Sequence, residues 1–331
     1  MPSLSSRLIS AAGSNGLRSN RPWRRAGQSE PLKRGNIVQK TSLRATLDAK
    51  KFFVAPGAQD MITALIINKV GFDFVYGSGY WMTASAYGLP DAGIATYTQM
   101  VDRMSTLART ADATLIADAD TGYGGLLNVH HTVRGYEAAG VAGIQLEDQV
   151  IPKRCGHTRN KQVITTSEMV QKIQVACDAR SNPKETLIIA RTDACSVEGF
   201  DNALRRLDAY AKAGADILFL EALTDEEQMR KACSEFDVPM MANMADGGAT
   251  PILDAKSLEE IGYAFAIFPA MCSLHAAAAS ERALSSLKQH GTSLRSGLDM
   301  FSFTEFSSLI GFDEIYALDE KWAAMKLKAS S

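Results

Sequence analysis

Short apolar runs rich in β-branched residues alternate with longer segments of helical period from about residue 50 onward. The short runs predict eight strands, at 52–57, 72–79, 114–120, 143–149, 186–193, 216–222, 238–244 and 264–270. Several of these runs are almost continuously apolar, which is typical of parallel strands that are buried on both faces.

The segments between the runs have the spacing of amphipathic helices. "DMITALIINKV" predicts a helix with Ile62, Leu65, Ile66 and Val70 on one face. "FDNALRRLDAYAKAGAD" predicts another, and its apolar face consists of Ala203, Leu204, Leu207, Tyr210 and Ala211. "AAGVAG" and "KAGAD" each place glycine just after a last helical turn, where a helix commonly ends.

Eight strand–helix repeats of this length predict an α/β protein with a (β/α)₈ barrel of the TIM type. We place the barrel at residues 46–292. A doubly wound open sheet is the alternative, but that fold normally carries a glycine-rich fingerprint after its first strand. "GSGYW" follows the second strand and matches this fingerprint poorly.

A helical extension follows the barrel at residues 293–331. It carries an apolar set with no evident place inside a finished barrel, made up of Phe301, Phe303, Phe306, Leu309 and Ile310. Such a surplus often packs on another subunit, so we expect a homo-oligomer. A helix folded back on its own barrel is the alternative.

The first 45 residues differ from the rest in composition. They are rich in arginine and serine and poor in acids, which is typical of an organellar transit peptide. A disordered basic tail without a targeting role is the alternative. We expect a mitochondrial location, and otherwise a cytoplasmic one.

Bulk composition narrows the class of protein. The 331 residues carry a net charge of −2, which does not suggest a nucleic-acid partner. No window approaches the ~20 apolar residues of a membrane helix. The five cysteines show no CxxC pairing and indicate reduced intracellular thiols. We therefore expect an enzyme for a small molecule.

Polar residues stand at the carboxyl ends of six predicted strands, where TIM barrels place their active sites. They are Tyr76, Ser78 and Tyr80; Asp118 and Asp120; Glu147 and Asp148; Arg191 and Asp193; Glu221; and Asn243. One such residue is compatible with a structural cap or ion pair. Six strands that end this way predict one polar site.

Four acids in this set suit a divalent cation. Asp118 and Asp120 alternate with one alanine, so on an extended strand both side chains face the same way. Glu147 and Asp91 complete the cluster. Hard oxygen ligands without histidine or cysteine predict Mg²⁺, or Mn²⁺, with several waters retained.

Two further features indicate an anionic substrate. "YGSGY" forms a turn in which Ser78 and Gly79 can offer backbone N–H groups to an anion. Arg191, at a buried strand end, needs a carboxylate partner from the protein or from a substrate.

The stretch "EDQVIPKRCGH" runs from the fourth strand into a loop of about fifteen residues before a helix that begins near Thr166. Such a long connection is typical of an active-site lid. Lys153, Arg154 and His157 surround Cys155 with positive charge, which lowers the pKa of its thiol. Cys155 is therefore a candidate for proton transfer near neutral pH.

With these segments in view, the chain resembles the isocitrate lyase / phosphoenolpyruvate mutase superfamily from about residue 45 to 325. The resemblance rests on "YGSGY", "GLPDAG", "DADTGYGG", "LEDQ..PKRCGH", "ARTDA" and "NM.DGG.TP". The KRCGH segment places it in the carbon–carbon lyase branch, with methylisocitrate lyases, 2,3-dimethylmalate lyases and oxaloacetate hydrolases.

This resemblance implies a metal site and a proton donor. Asp118 would bind Mg²⁺ directly, and Asp91, Asp120 and Glu147 would hold its waters. Cys155 would protonate the departing carbanion. Lys153, Arg154, Gly156 and His157 would shape the lid, and Tyr76 stands where a tyrosine base is proposed in the isocitrate-cleaving members.

The resemblance also implies a carboxylate pocket and an assembly. Ser78 and Gly79 would hold the keto-acid carboxylate, and Arg191 would neutralise the substrate. Asn243 would contact the second carboxylate, and Tyr80 and Glu221 are further substrate-binding candidates. The resemblance implies tetramers in which the last barrel helix is swapped between neighbours.

These inferences predict a Mg²⁺-dependent lyase that cleaves a 2-hydroxy di- or tricarboxylate of the methylisocitrate or 2,3-dimethylmalate type. The alternative is hydrolysis or decarboxylation of oxaloacetate; phosphonate chemistry and a non-catalytic barrel are less favoured. Asp246 replaces the glutamate usual in relatives, and Pro269 fits lyase pockets better than hydrolase pockets. Leu274 lies near the position of an arginine of methylisocitrate lyases.

Overall fold

The structure is a computed structural model that describes residues 39–154 and 161–329. The predicted leader lies almost entirely outside the described residues, so the predicted transit peptide and mitochondrial location stay predictions. Cys155, Gly156 and His157 also lie outside the described residues, and their predicted roles are not tested by the coordinates.

Eight parallel strands form a closed barrel in which each strand pairs with the next and β8 pairs with β1. The strands are β1 (Phe53–Ala58), β2 (Phe74–Gly77), β3 (Thr114–Asp118), β4 (Gly143–Glu147), β5 (Leu187–Thr192), β6 (Ile217–Leu220), β7 (Met240–Asn243) and β8 (Phe265–Phe268). The predicted (β/α)₈ barrel is confirmed, and the doubly wound alternative is wrong.

The described helices follow the strands and continue beyond them. They are α1 (Leu43–Asp48), α2 (Met61–Val70), α3 (Gly79–Tyr87), α4 (Tyr97–Thr110), α5 (Leu126–Ala138), α6 (Thr166–Ala179), α7 (Cys195–Glu198), α8 (Phe200–Lys212), α9 (Glu226–Glu235), α10 (Ala255–Ile261), α11 (Met271–His290), α12 (Phe303–Ile310) and α13 (Phe312–Ala329). Among the described residues, none of these helices has both the length and the apolar character that a membrane crossing requires.

Local sequence sets several helix starts. Thr165 and Glu168 form a capping box at the start of α6, so the predicted helix start at Thr166 is confirmed. Asp60 caps α2 by accepting a hydrogen bond from Thr63 N at 2.8 Å. Gly140 and Gly214 adopt positive φ after α5 and α8, which confirms both predicted helix ends.

The predicted apolar face of α2 is wrong. Ile62 and Val70 are 47% and 65% exposed, whereas Thr63, Ala64 and Ile67 are buried with Leu65. The segment is apolar on most sides, so periodicity alone does not select the face that meets the barrel. The predicted face of α8 is confirmed for Ala203, Leu204, Leu207 and Tyr210, and Ala211 is half-buried.

The apolar residues form two cores. One lies between the barrel and its helices, and the other fills the barrel interior with Phe74, Ile116, Phe219 and Phe265 among others. Leu43 and Leu47 of α1 belong to the interior core and close its amino-terminal end. The predicted leader boundary at residue 45 therefore falls inside a helix of the barrel domain.

The C-terminal helices leave much apolar surface uncovered. The 20-residue helix α11 contains no buried residue, and Phe303 and Trp322 are 88% and 52% exposed. Of the predicted apolar set at 301–310, only Leu309 is buried, although α12 contacts α2. The described part of the chain therefore does not bury that set.

Candidate active site

A cavity of about 340 Å³ opens at the carboxyl ends of the barrel strands. It brings together most of the predicted residues: Tyr76, Ser78, Tyr80, Asp91, Asp118, Glu147, Lys153, Arg191, Glu221 and Asn243. The strands are parallel, so the residues at their carboxyl ends meet at one mouth. The predicted convergence of polar residues is present.

Asp118 is held in place from three sides. Its Oδ1 accepts hydrogen bonds from Asp120 N at 3.0 Å and Gln145 Nε2 at 3.3 Å. Its Oδ2 accepts one from Gly79 N at 3.3 Å. Asp118 is only 7% exposed and lines the cavity. Its hydrogen bonds therefore orient the carboxylate before any ligand binds.

Gly79 has to be glycine for this arrangement. A Cβ at Gly79 would lie 2.8 Å from Asp118 Oδ2 and 3.3 Å from Asp120 Oδ1. Real Cβ atoms do not approach oxygen as closely as the first of these distances, so any side chain here would displace Asp118. Sequence reasoning predicted Gly79 as an anion-binding turn, and the structure adds this packing reason.

Asp118 and Asp120 do lie together, but the predicted reason is wrong. Strand β3 ends at Asp118, and Asp120 adopts a left-handed conformation with φ +49. A turn after the strand, rather than alternation along it, returns Asp120 to the cluster. A non-glycine residue in this conformation is uncommon and typical of functional sites.

Lys153 binds two of the acids. Its Nζ lies 2.6 Å from Asp91 Oδ1 and 2.8 Å from Asp120 Oδ1, and its side chain is only 4% exposed. Burial raises the pKa of Asp120 to about 6, with Asp118 and Asp91 adding to the effect and Lys153 opposing it. The side chain of Lys153 therefore belongs to the acid cluster, although the sequence placed it on the lid.

Glu147 is buried at the end of β4 beside Arg191, whose Nε lies 3.4 Å from Glu147 Oε2. Burial raises the pKa of Glu147 well above its ordinary value, and Arg191 opposes this shift. Its Oε1 is buried without a hydrogen-bond partner among the described residues. Such an atom in a native site commonly awaits a water, an ion or a ligand.

Arg191 has the carboxylate partners that the sequence required, and they come from the protein. Its Nε donates to Asp193 Oδ2 at 2.9 Å and its Nη2 to Asp193 Oδ1 at 3.1 Å. Glu221 Oε2 lies 3.3 Å from Nη2. Asp193 was predicted as one of the strand-end polar residues but was given no role of its own. The available signal was an acid two positions after an arginine, just beyond the end of β5.

Asn243 extends this polar wall onto β7. Its Nδ2 donates to Glu221 Oε2 at 3.0 Å, and Glu221 Oε1 accepts from Ala222 N at 2.9 Å. Asn243 Oδ1 is buried without a hydrogen-bond partner within the described ranges. The amide is therefore oriented by Glu221 and keeps one acceptor for a protonated or donor group.

Tyr76 donates a hydrogen bond from its hydroxyl to Gln145 Oε1 at 2.9 Å. Burial, with Asp118 second, raises the pKa of Tyr76 well above its ordinary value. The hydroxyl of Tyr76 is thus oriented by Gln145, and the predicted base role of Tyr76 stays a prediction. Sequence reasoning missed Gln145, which lies inside β4 between apolar residues.

The remaining predicted residues differ in position. Ser78 is buried at the start of α3, and Tyr80 is 37% exposed at the cavity rim. Arg154 is exposed and does not line the cavity, and its backbone N–H donates to Gln149 Oε1 at 2.9 Å. Gln149, which the sequence did not single out, holds the start of the predicted lid.

The donor set is compatible with a hydrated divalent cation. In the described part of the chain, no three His, Cys, Asp or Glu side chains are arranged to enclose a metal ion. Mg²⁺ does not need such a cage, because it usually keeps several waters and binds one or two carboxylates. Asp118 offers oriented oxygens and Glu147 an unpartnered one, so the residues fit Mg²⁺ held largely through water.

A model of the family described as phosphoenolpyruvate phosphomutase matches residues 43–288. The chain is 44% identical to 2,3-dimethylmalate lyase of Eubacterium barkeri, over 85% of this chain and 97% of that one. It is 40% identical to 2-methylisocitrate lyase of Aeropyrum pernix, over 86% and 90%.

Solved structures agree with the sequence relatives. A crystal structure of 2,3-dimethylmalate lyase superposes with a TM-score of 0.79 at 35% identity, covering 84% of this chain and 93% of that one. A structure of oxaloacetate acetylhydrolase in complex with 3,3-difluorooxalacetate superposes with a TM-score of 0.80 at 31% identity, covering 85% of this chain and 96% of that one. The chain belongs to the PEP mutase/isocitrate lyase superfamily. Within that superfamily it is a carbon–carbon lyase.

Proposed function

We propose that this lyase uses Mg²⁺ to cleave the bond between C2 and C3 of a 2-hydroxy di- or tricarboxylate. The observation that carries the proposal is the strand-end cavity, which is lined by an oriented Asp118 and by Glu147, whose Oε1 has no hydrogen-bond partner among the described residues. Relatives whose names specify 2,3-dimethylmalate and 2-methylisocitrate support the substrate class.

The bond changes follow from the substrate class. The hydroxyl on C2 gives its proton to a base, a C=O bond forms at C2, and the C2–C3 bond breaks with its electron pair passing to C3. An acid then protonates C3. The products are a 2-keto acid and a second carboxylate, so atoms and charge balance without a redox cofactor.

The residues of this cavity would stabilise the charges that develop during the reaction. A bound Mg²⁺ supplies the positive charge that stabilises oxygen as the carbonyl forms at C2. Asp118 would hold it directly, and Asp91, Asp120 and Glu147 would hold its waters. Lys153 keeps Asp91 and Asp120 together. Ser78 lines the cavity and would hold the keto-acid carboxylate, while the N–H of Gly79 orients Asp118.

The acid for C3 is proposed from the sequence. Cys155 follows Lys153 and Arg154 in the chain, and cationic surroundings lower a thiol pKa and favour proton exchange near neutral pH. General acid catalysis typically contributes ~10²–10⁴-fold. We expect Cys155→Ser to lower kcat by this order.

Two variants test the proposal together. Asp118→Asn should abolish Mn²⁺ binding, followed by electron paramagnetic resonance, and should lower turnover about 10³-fold, since a Lewis acid contributes several kcal/mol. Cys155→Ser should bind Mn²⁺ as the unmodified enzyme does. Wild-type turnover in Cys155→Ser would contradict the acid role, and unchanged Mn²⁺ binding in Asp118→Asn would contradict the metal site.

Hydrolysis of oxaloacetate is the second candidate, favoured by the superposition on oxaloacetate acetylhydrolase. That reaction consumes water and yields oxalate and acetate, so product analysis separates it from lyase chemistry. Pro269 lines the cavity where we expect serine in the hydrolases. A hydroxyl group that could orient a water is therefore missing at this position, which favours the lyase.

We also propose that the enzyme assembles as a homotetramer. The uncovered apolar surface of α11, α12 and α13 supports burial against other copies. Sedimentation equilibrium should give four times the 35.7 kDa chain mass, or somewhat less after loss of a leader. A monomer at micromolar concentration would contradict the proposal.

A further inference from the structure

We infer that the substrate is a dicarboxylate with a small alkyl group on C3, rather than a tricarboxylate. The inference rests on the proposed function and names the substrate class of the same cavity. The two candidate substrates, 2,3-dimethylmalate and 2-methylisocitrate, differ only in the group on C3. That group is methyl in the first and carboxymethyl in the second. The substrate class is therefore decided by which C3 group the cavity accepts.

The cavity has a polar half and an apolar half. Strands β3 to β6 are consecutive in the barrel and supply Asp118, Glu147, Arg191 and Glu221. The opposite arc, from the end of β7 through β8 to α3, holds the apolar side chains that line the cavity: Trp81, Ala245, Ile267, Pro269, Ala270 and Leu274. The polar residues that also line this arc carry no positive charge; they are Tyr76, Ser78, Tyr80, Asn243 and Asp246.

Within the described ranges, the basic side chains that line the cavity lie in its polar half. Among the described residues that line the cavity, only Lys153 and Arg191 are basic, and both are already paired with carboxylates. The apolar arc instead carries the carboxylate of Asp246. A third substrate carboxylate on this side would meet an apolar surface and a like charge.

The energetic consequences have opposite signs for the two groups. An ionised carboxylate that loses water without gaining a cation is strongly disfavoured. A methyl group buried on the same surface is favoured, because it leaves water for an apolar environment. A C3 group that faces this arc is therefore favoured as methyl over carboxymethyl.

Strand β1 packs against the back of the apolar arc, which we call the wall. A Cβ at Gly57 of β1 would lie 2.5 Å from Pro269 O and 2.6 Å from Pro269 Cα. The backbone of Pro269 thus rests directly on that of β1, so at this point the wall cannot move toward β1 to admit a larger group. Leu274 stands beside it in the first turns of α11, where its N–H donates to Ala270 O at 3.0 Å.

The experiment compares the two acids under identical conditions with Mg²⁺. Both cleavages give pyruvate, while the fragment derived from C3 is propionate from 2,3-dimethylmalate and succinate from 2-methylisocitrate. We expect kcat/KM to favour 2,3-dimethylmalate by at least about 100-fold, which corresponds to about 2.7 kcal/mol. Products identified by mass assign each rate.

A charge placed on the wall should shift the preference. Leu274→Arg supplies a cation at the apolar arc, so the ratio of the two kcat/KM values should move toward 2-methylisocitrate by at least about tenfold. Leu274 is 42% exposed, which makes the substitution compatible with folding. Leu127→Arg is the matched control, because Leu127 is 87% exposed and does not line the cavity.

The outcomes are distinguishable. A wild-type enzyme that prefers 2-methylisocitrate overturns this inference and leaves the proposed lyase function intact. An enzyme that cleaves neither acid with Mg²⁺ contradicts the proposed function and the inference together. An unchanged ratio in a folded Leu274→Arg enzyme contradicts the role of the wall, and the wild-type comparison decides the substrate class even if that variant fails to fold.

Discussion

Glu147 and Asp148 are neighbours at the end of β4, and both are buried carboxylates, but their surroundings differ completely. Glu147 faces the cavity with one oxygen unpartnered among the described residues. Asp148 faces outward toward α8, where four donors bind it. The comparison shows that burial of an acid indicates nothing about function until its partners are counted.

The partners of Asp148 form what we call the back network, which consists of Asp148, Thr192, Arg206 and Tyr210. Asp148 Oδ2 accepts from Thr192 Oγ1 at 2.6 Å, from Tyr210 OH at 2.8 Å and from Arg206 Nη1 at 3.4 Å. Oδ1 accepts from Asp193 N at 2.9 Å. Every oxygen is used, so this carboxylate holds β4, β5 and α8 together and has none left for a ligand.

The largest expected effect is on stability. Asp148→Ala would leave the hydroxyls of Thr192 and Tyr210 buried without an acceptor and would remove one partner of Arg206. We expect a loss of about 3–5 kcal/mol in the free energy of unfolding. Urea denaturation measures it, and a loss below 1 kcal/mol would show that the back network is not structural.

Glu147→Gln should reduce activity and leave stability almost unchanged, the opposite of Asp148→Ala. It removes the charge that faces the cavity, so we expect kcat/KM to fall about 10–100-fold, as for residues that orient metal-bound groups. Stability should change by less than about 1 kcal/mol, because Asp193 and Glu221 still pair with Arg191. Full activity with reduced stability in Glu147→Gln would show that Glu147 has a structural role and would contradict this prediction.

Gly79→Ala tests the cavity-facing side without changing a charge. The new Cβ would displace Asp118, and we expect about a tenfold loss of kcat/KM with weaker Mn²⁺ binding. Gly125→Ala is the control, because Gly125 has φ −80 and a Cβ there meets no atom within 4 Å. Equal kinetics in the two variants would show that Asp118 does not depend on this close approach.

The smallest expected effect concerns pH. Burial raises the pKa of Asp193, but Arg191 and Lys161 outweigh burial and lower it to about 2. Its contribution to stability is therefore complete above the unfolded pKa of about 4 and is lost as the pH falls through about 2. The stability difference between wild type and Asp193→Asn should shrink by about 1 kcal/mol from pH 5 to pH 3.

Urea titrations at each pH measure this difference. Asp208→Asn is a suitable reference, because Asp208 pairs with Lys212 on the exposed face of α8, where an ion pair contributes little to stability. A difference between wild type and Asp193→Asn that stays constant down to pH 3 would show that the charge of Asp193 is not what stabilises the site.

The family of this protein was accessible from sequence through the motifs that it resembles. The acids at the cavity mouth were accessible because strand ends are marked locally. Apolar runs that stop at Asp118, Glu147, Arg191 and Asn243 identify both the strands and the cavity mouth, since parallel strands share one polarity. The same reasoning could not distinguish Glu147 from Asp148. Their roles depend on which neighbouring elements supply donors, and those elements are distant in sequence.

The sequence by itself determined the barrel, the order of its strands and the acids at its mouth, because period and polarity are properties of adjacent residues. Only the tertiary structure decided the left-handed turn at Asp120, the pairing of Lys153 with two acids, and the apolar arc formed by Pro269 and Leu274. These features arise where segments far apart in the chain come into contact. Close approach, burial and partner geometry set them, and no local pattern encodes such contacts.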